Sequence, residues 1–210
     1  MKSQDILLLL KLISLHGDYK DPLKNSEVID FHSEWRDWGH DEISPDYGQI
    51  DYIESRFAVR ALANETGISK SQVSLSLKRC NDVGLAKQDR KTLMPKTNTK
   101  ALIEFIAYGI RYVFPTKPGE ITRGIKTSIA APVLRGQLMT SGDLPPVWPD
   151  ARGNTKGVAI EPLHKNIRQA VKNDAALYAM LALTDAIRIG QPRERNLALD
   201  KLNLLVKELQ

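Results

Sequence analysis

The apolar positions of this chain change period several times, and each change marks an element. In SQDILLLLKLISLHG, which begins at Ser3, Ile6, Leu7, Leu9, Leu10 and Ile13 cover a wide arc at helical spacing. They predict a first helix from Ser3 to about Leu15, buried on more than one side and stopped at Gly17. Ser3 suits its N-cap, and Asp5 in the first turn favours the helix dipole. From Lys20 to Glu54 no period is sustained, and Trp35 and Trp38 fall three apart in HSEWRDWGH. Residues 17–56 therefore read as an acidic insertion, long for a connection inside a compact domain.

Helical spacing returns in VRALANETGISKSQVSLSLKRCNDVGL, residues 59–85, at Leu62 and Ala63, at Ile68, then at Val73, Leu77 and Cys80. The period stops at TGIS and resumes, as it does when two short helices cross at a tight turn. Ala63 is small where the helices touch, and Gly67 tolerates positive φ in the turn. Ile68, Val73 and Leu77 anchor the second helix, and Ser69 caps it. The polar turn KQDRKT (87–92) between GLA and TLM then predicts a small β-hairpin.

Pro95 separates the hairpin from a helix starting near Asn98, on which Leu102, Phe105, Ile106, Ile110 and Val113 keep helical spacing up to Pro115. Thr116 to Pro162 is punctuated by Pro and Gly; PPVWP holds Trp148 among prolines, and DARGNTKGVAI reads as a turn into a strand. Two helices close the chain. One is capped by Asn173 or Asp174 and stops at Gly190; the other starts at Pro192 and carries Ala198, Leu202, Leu205 and Leu209 on one stripe. The expected fold is mainly α with a small β-wing. Residues 1–96 form a winged helix-turn-helix, and residues 97–210 a helical dimerisation or regulatory domain.

Composition changes this picture little: 42% hydrophobic content over 210 residues suffices for a core. ILLLLKLISL is too short to span a bilayer, carries Lys11 and lacks a cleavage site, so neither a membrane span nor a signal peptide is expected. The lone Cys80 excludes an intramolecular disulfide. A cytoplasmic location is the simplest expectation. Charge changes the picture more. Residues 1–58 carry 6 Lys and Arg against 12 Asp and Glu, residues 59–100 carry 9 against 3, and residues 101–210 carry 15 against 10. Positive charge concentrates on the broken helical pattern, which makes it a candidate nucleic-acid footprint.

The second helix of that pattern presents Lys70, Ser71, Gln72, Ser74, Leu75, Lys78 and Arg79, with no acid before Asp82. LANETGISKSQVSLSLKRCNDVGL, from Leu62 to Leu85, resembles the reading unit of bacterial winged helix-turn-helix transcription regulators, broadly of the MarR type. The resemblance implies a recognition helix over 70–83, a wing around 87–93 and a homodimer on double-stranded DNA. More loosely, FIAYGIRYVFP, PPVWP and LYAMLALTDAIRIGQPRERNLA look like the C-terminal half of uncharacterised bacterial proteins of this architecture. Two features depart from the family pattern: the acidic insertion, and Leu75 where a polar or basic residue is frequent. In such a complex Gln72 can pair with adenine, Lys70 with guanine, and Leu75 can meet a thymine methyl. Lys78, Arg79, Arg90 and Lys91 would hold phosphates.

Enzymatic readings find little to stand on. His32 and His40 in FHSEWRDWGHDE match no helical ligand pair, so no metal site is expected. TRGIKT, residues 122–127, lacks the spacing of a phosphate loop. Cys80 reads as a small buried hydrophobe, with a redox sensor as the alternative. Arg188, Arg193 and Arg195 could bind an anion, but the preferred reading sets Arg188 at a helix C-terminus and the other two on a solvated first turn. No catalytic residue or cofactor is expected. Two functions remain open: a homodimeric transcription repressor, or an antitoxin-like module whose C-terminal half engages a partner protein.

Overall fold

A computed structural model describes residues 1–20, 50–137 and 144–210. Most of the acidic insertion, with Trp35, Trp38, His32 and His40, lies outside the described residues. In order, the elements are α1 (Ser3–Lys20), α2 (Ile50–Ser55), α3 (Val59–Thr66), α4 (Lys70–Asp82), β1 (Ala86–Gln88), β2 (Pro95–Thr97), α5 (Thr99–Tyr108) and α6 (Ile110–Val113). They continue as β3 (Pro118–Lys126), β4 (Pro146–Pro149), β5 (Thr155–Ile160), α7 (Ile167–Ala170), α8 (Ala175–Ile189) and α9 (Pro192–Glu208). The described chain is mainly helical, with one sheet of two strands and one of three. Among the described residues no helix is long and apolar enough to cross a membrane.

The wide apolar arc of α1 has the consequence its pattern implies: Ile6 to Leu10 are each at most 1% exposed. Helix α1 lies against α8, α4 and β2, and every residue of α8 from Ala176 to Arg188 is buried. Instead of stopping at Gly17, α1 continues to Lys20. A Cβ at position 17 would stand 2.7 Å from Leu209 Cδ2, so this glycine admits the end of the last helix. One apolar cluster runs from Ile6 to Leu209 and crosses the boundary expected after residue 96.

Lys11 sits in the middle of this core, 2% exposed. Its Nζ lies 2.7 Å from both Asp174 Oδ2 and Glu65 Oε2. Ser14 Oγ donates to Asp174 Oδ1 at 2.7 Å, and that carboxylate also accepts from Leu177 N as the cap of α8. Arg56 donates twice to Glu65 at 2.9 Å and once to Asp18 at 2.9 Å. Burial works against the charge on Lys11, but the Asp174 and Glu65 carboxylates outweigh it and raise its pKa. The network ties α1, α3, the start of α8 and the residue after α2 into one unit.

The hairpin forms as expected, with strands shifted slightly along the chain: Ala86 pairs with Thr97 and Gln88 with Pro95. The helix expected from Asn98 to Phe114 is capped by Asn98 but splits at Gly109, where α5 gives way to α6. The C-terminal half is not helical throughout. Strand β3 pairs antiparallel with both β4 and β5, and those two pair parallel with each other, which closes the sheet on itself. Glycine permits so tight a closure: a Cβ on Gly153 would fall on the backbone of Gly124. The unit is fastened to α8 at Asp185, which accepts from Trp148 Nε1 at 2.6 Å, Thr127 Oγ1 at 3.1 Å and Arg188 Nη1 at 2.5 Å.

The apolar stripes of the domain expected over residues 97–210 are largely consumed inside one chain. Leu102, Ile106 and Ile110 are buried, as are Ala198, Leu202, Leu205 and Leu209. If the Lys11 network fixes the core, Lys11→Met strips buried Asp174 of its cation and leaves half-buried Glu65 to Arg56 alone, and should cost roughly 3–5 kcal/mol in urea unfolding. Ser14→Ala keeps every charge in place and should cost less. Equal losses for the two variants would contradict this assignment.

Candidate nucleic-acid interface

Local chemistry sets the geometry of α3 and α4. Gly67, which ends α3, has φ 69°. Ser69 caps α4 and accepts from Gln72 N at 3.4 Å. Leu62 and Ala63 of α3 and Val73 and Cys80 of α4 are buried together with Ile68 from the turn. The turn is also gripped from the C-terminal half: Asn166 Nδ2 donates to Gly67 O at 2.6 Å and Gln169 Nε2 to Asn64 O at 3.3 Å.

Asp5, 1% exposed, fastens the inner face of α4 to the first turn of α1. It accepts from the Ser76 hydroxyl, from Arg79 Nη2 at 2.6 Å and Nε at 3.2 Å, and from Lys2 N at 2.7 Å. Burial alone would raise its pKa; the hydrogen bonds from Arg79, Ser76 and Lys2 prevail and hold it below the ordinary carboxylate range. Arg79, expected to hold a phosphate, is thus a bracket of α4 whose guanidinium is already engaged. Gln72, expected to read a base, is only half-exposed, and its Oε1 accepts from Gln4 Nε2 at 3.0 Å.

The other expected contacts on α4 are open to solvent. Ser71, Ser74, Leu75 and Lys78 are exposed and recur at helical spacing along one face, with Lys70 exposed at the N-terminal end. Leu75 is 48% exposed among hydroxyls and amines, where a side chain serving only the core would be covered. Arg90 and Lys91 are exposed at the tip of the hairpin. That tip is ordered: Asp89 Oδ1 accepts from Lys91 N at 2.9 Å and Thr92 N at 3.1 Å, and Asp89 N donates to Met94 O at 2.8 Å. The fold therefore brings two groups to the surface, the face of α4 and the tip of the hairpin, on elements braced from within.

His16, His164 and Arg188 have structural partners. His16 is hydrogen-bonded to Pro95 O at 3.0 Å, and His164 Nδ1 accepts from Asn166 N at 3.2 Å. Burial pushes the Cys80 thiol up to about 12, aided by the nearby Asp5 carboxylate, so it stays protonated and is a poor redox centre. Arg188 is buried against Asp185 and also donates to Phe114 O at 3.0 Å, which leaves it closed to an anion. Among the described residues no three His, Cys, Asp or Glu side chains gather into a metal site.

Sequence reasoning missed two features that position α4: the Asp5 bracket and the Asn166–Gln169 grip. Asp5 carried a signal, an acid in a first turn, but that signal points to the dipole of its own helix. Compared with known proteins, the chain matches no family model, no curated protein and no solved structure.

The lowered pKa of Asp5 gives a pH prediction. Its contribution to stability is complete above the unfolded-state pKa of about 3.9 and fades as pH falls through the lower folded value. The stability gap between the parent and Asp5→Asn should stay flat from neutral pH to about 5 and close in stronger acid. Urea titrations across pH measure it. A gap that widens in acid would contradict the assignment.

Proposed function

We propose that this protein is a sequence-specific, double-stranded DNA-binding transcription regulator acting as a homodimeric repressor in the cytoplasm. On this reading α1, α3, α4 and the β1–β2 hairpin, which ends at Thr97, make up a winged helix-turn-helix. Helix α4 would enter the major groove and the hairpin would lie on the backbone.

One observation carries this conclusion. The exposed face of α4 holds Lys70, Ser71, Ser74, Leu75 and Lys78 with no acid before Asp82, while Asp5, which lies against the inner face of α4, is buried and neutralised by Arg79. The resemblance of residues 62–85 to MarR-type regulators supports the same reading. Lys70, Ser71, Ser74 and Leu75 would then meet base edges, with Leu75 suited to a thymine methyl. Lys78, Arg90 and Lys91 would hold phosphates. Gln72 would read a base only by releasing Gln4.

Homodimerisation belongs to this reading because one recognition helix reads too few base pairs to select a genomic site. Apolar residues still exposed for it include Tyr108, Tyr112 and Val113 around α5–α6, and Leu204 on α9. The same residues favour a second reading. Tyr108 and Tyr112 are 76% and 77% exposed, and tyrosine is enriched at protein interfaces, as an antitoxin-like module binding a partner protein would require.

Selection of the full chain on random duplexes tests the first reading. It should enrich paired half-sites about 10 bp apart, or a multiple of that. Leu75→Ala should relax preference at one position in each half-site. Lys91→Ala should weaken all sequences alike and lower the salt slope by about 0.9. No enrichment from a chain that stays monomeric in sedimentation would leave the partner-protein reading ahead.

A further inference from the structure

The positive charge of the C-terminal half is unevenly placed. Residues 116–172 carry 9 Lys and Arg against 4 Asp and Glu, whereas residues 173–210 carry 5 of each. The excess therefore belongs to the three-stranded sheet, α7 and their connections, while α8 and α9 are balanced. On the sheet, Arg123 of β3 stands directly opposite Lys156 of β5, and both are exposed. Like charges directly opposite each other on neighbouring strands are destabilising. Among the described residues no carboxylate forms an ion pair with either, or with exposed Arg152 in the turn before β5.

This surface is joined to the start of α4 by hydrogen bonds. On one side of α7, Asn166 and Gln169 grip the α3–α4 turn through Gly67 O and Asn64 O. From α7 itself, Arg168 Nη1 donates to Pro149 O at 2.9 Å, and its ion pair with Asp150 spans 3.7 Å. Asp150 N in turn donates to Arg123 O at 3.0 Å. The acids near the path are Asp150, partly offset by Arg168, and farther along the sheet the exposed Glu120 on β3 and Glu161 just after β5. A repulsive cationic pair with no partner among the described residues fits an anionic partner outside the fold.

We propose that duplex DNA bound by α4 continues onto the three-stranded sheet, where Arg123, Lys156 and Arg152 hold its phosphates. This rests on the duplex-DNA reading above and extends the footprint beyond the helix pair and hairpin. Phosphate contacts fix register without reading sequence, so the sheet adds affinity and leaves base preference unchanged.

The test compares the full-length parent with Arg123→Gln/Lys156→Gln on a labelled mixed-sequence duplex of about three helical turns. The slope of log affinity against log salt should fall by roughly two units, at about 0.9 per phosphate released. The loss should be equal on any selected sequence. Urea unfolding should find the double variant at least as stable as the parent, because the repulsive pair is gone. An unchanged slope in the double variant, with Lys78→Gln lowering it, would overturn the sheet contact alone. A parent that binds no duplex at low salt would overturn it together with the reading on which it rests. Tighter binding of single-stranded RNA than of duplex would also overturn it.

Discussion

A charged amine at the centre of a buried helix constrains everything packed around it. Lys11 cannot be left unpaired in an apolar core, since an unmatched buried charge costs several kcal/mol. Its two partners come from distant parts of the chain: Glu65 from the last turn of α3 and Asp174 from the cap of α8. The requirement that both reach Lys11 fixes α3 and α8 against α1. Arg56 and Asp18 extend the constraint to the segment that enters α3. A chain divided by sequence into two halves is thereby locked into one core.

The inward use of acid has an outward consequence. Asp5, Glu65, Asp174 and Asp185 all face interior cations or donors. On the exposed face of α4 and at the hairpin tip, Lys70, Lys78, Arg90 and Lys91 outnumber Asp82 and Asp89. Asp5 contributes twice, because holding Arg79 and Ser76 orients α4 while removing a negative charge from the surface beside it. Interior ion pairing and surface potential are here two aspects of one arrangement.

What the sequence revealed follows the range of the interactions involved. Ser69, Asn98, Asp174 and Pro192 mark helix starts through contacts within one turn, and each stands at a helix start in the structure. Gly67 declares itself because positive φ is a local demand. The extension of α1 past Gly17 depends on Leu209 at the other end of the chain, which no local pattern encodes. The split at Gly109 is hidden because Ile110 and Val113 keep helical spacing across it. Strand β3 escaped notice because its exposure does not alternate along its length. At the candidate interface, side-chain types identified the exposed cations and Leu75, but not the removal of Arg79 and Gln72 by partners on α1.

Hydrogen exchange of the full chain, with and without an excess of mixed-sequence duplex DNA at low salt, tests the central claim most directly. Binding through the proposed face predicts slowed exchange in the first turns of α4 and at the hairpin tip around Arg90 and Lys91, with α8 unchanged. Protection confined to α5–α6, or no change anywhere under conditions where the duplex is in excess, would contradict it.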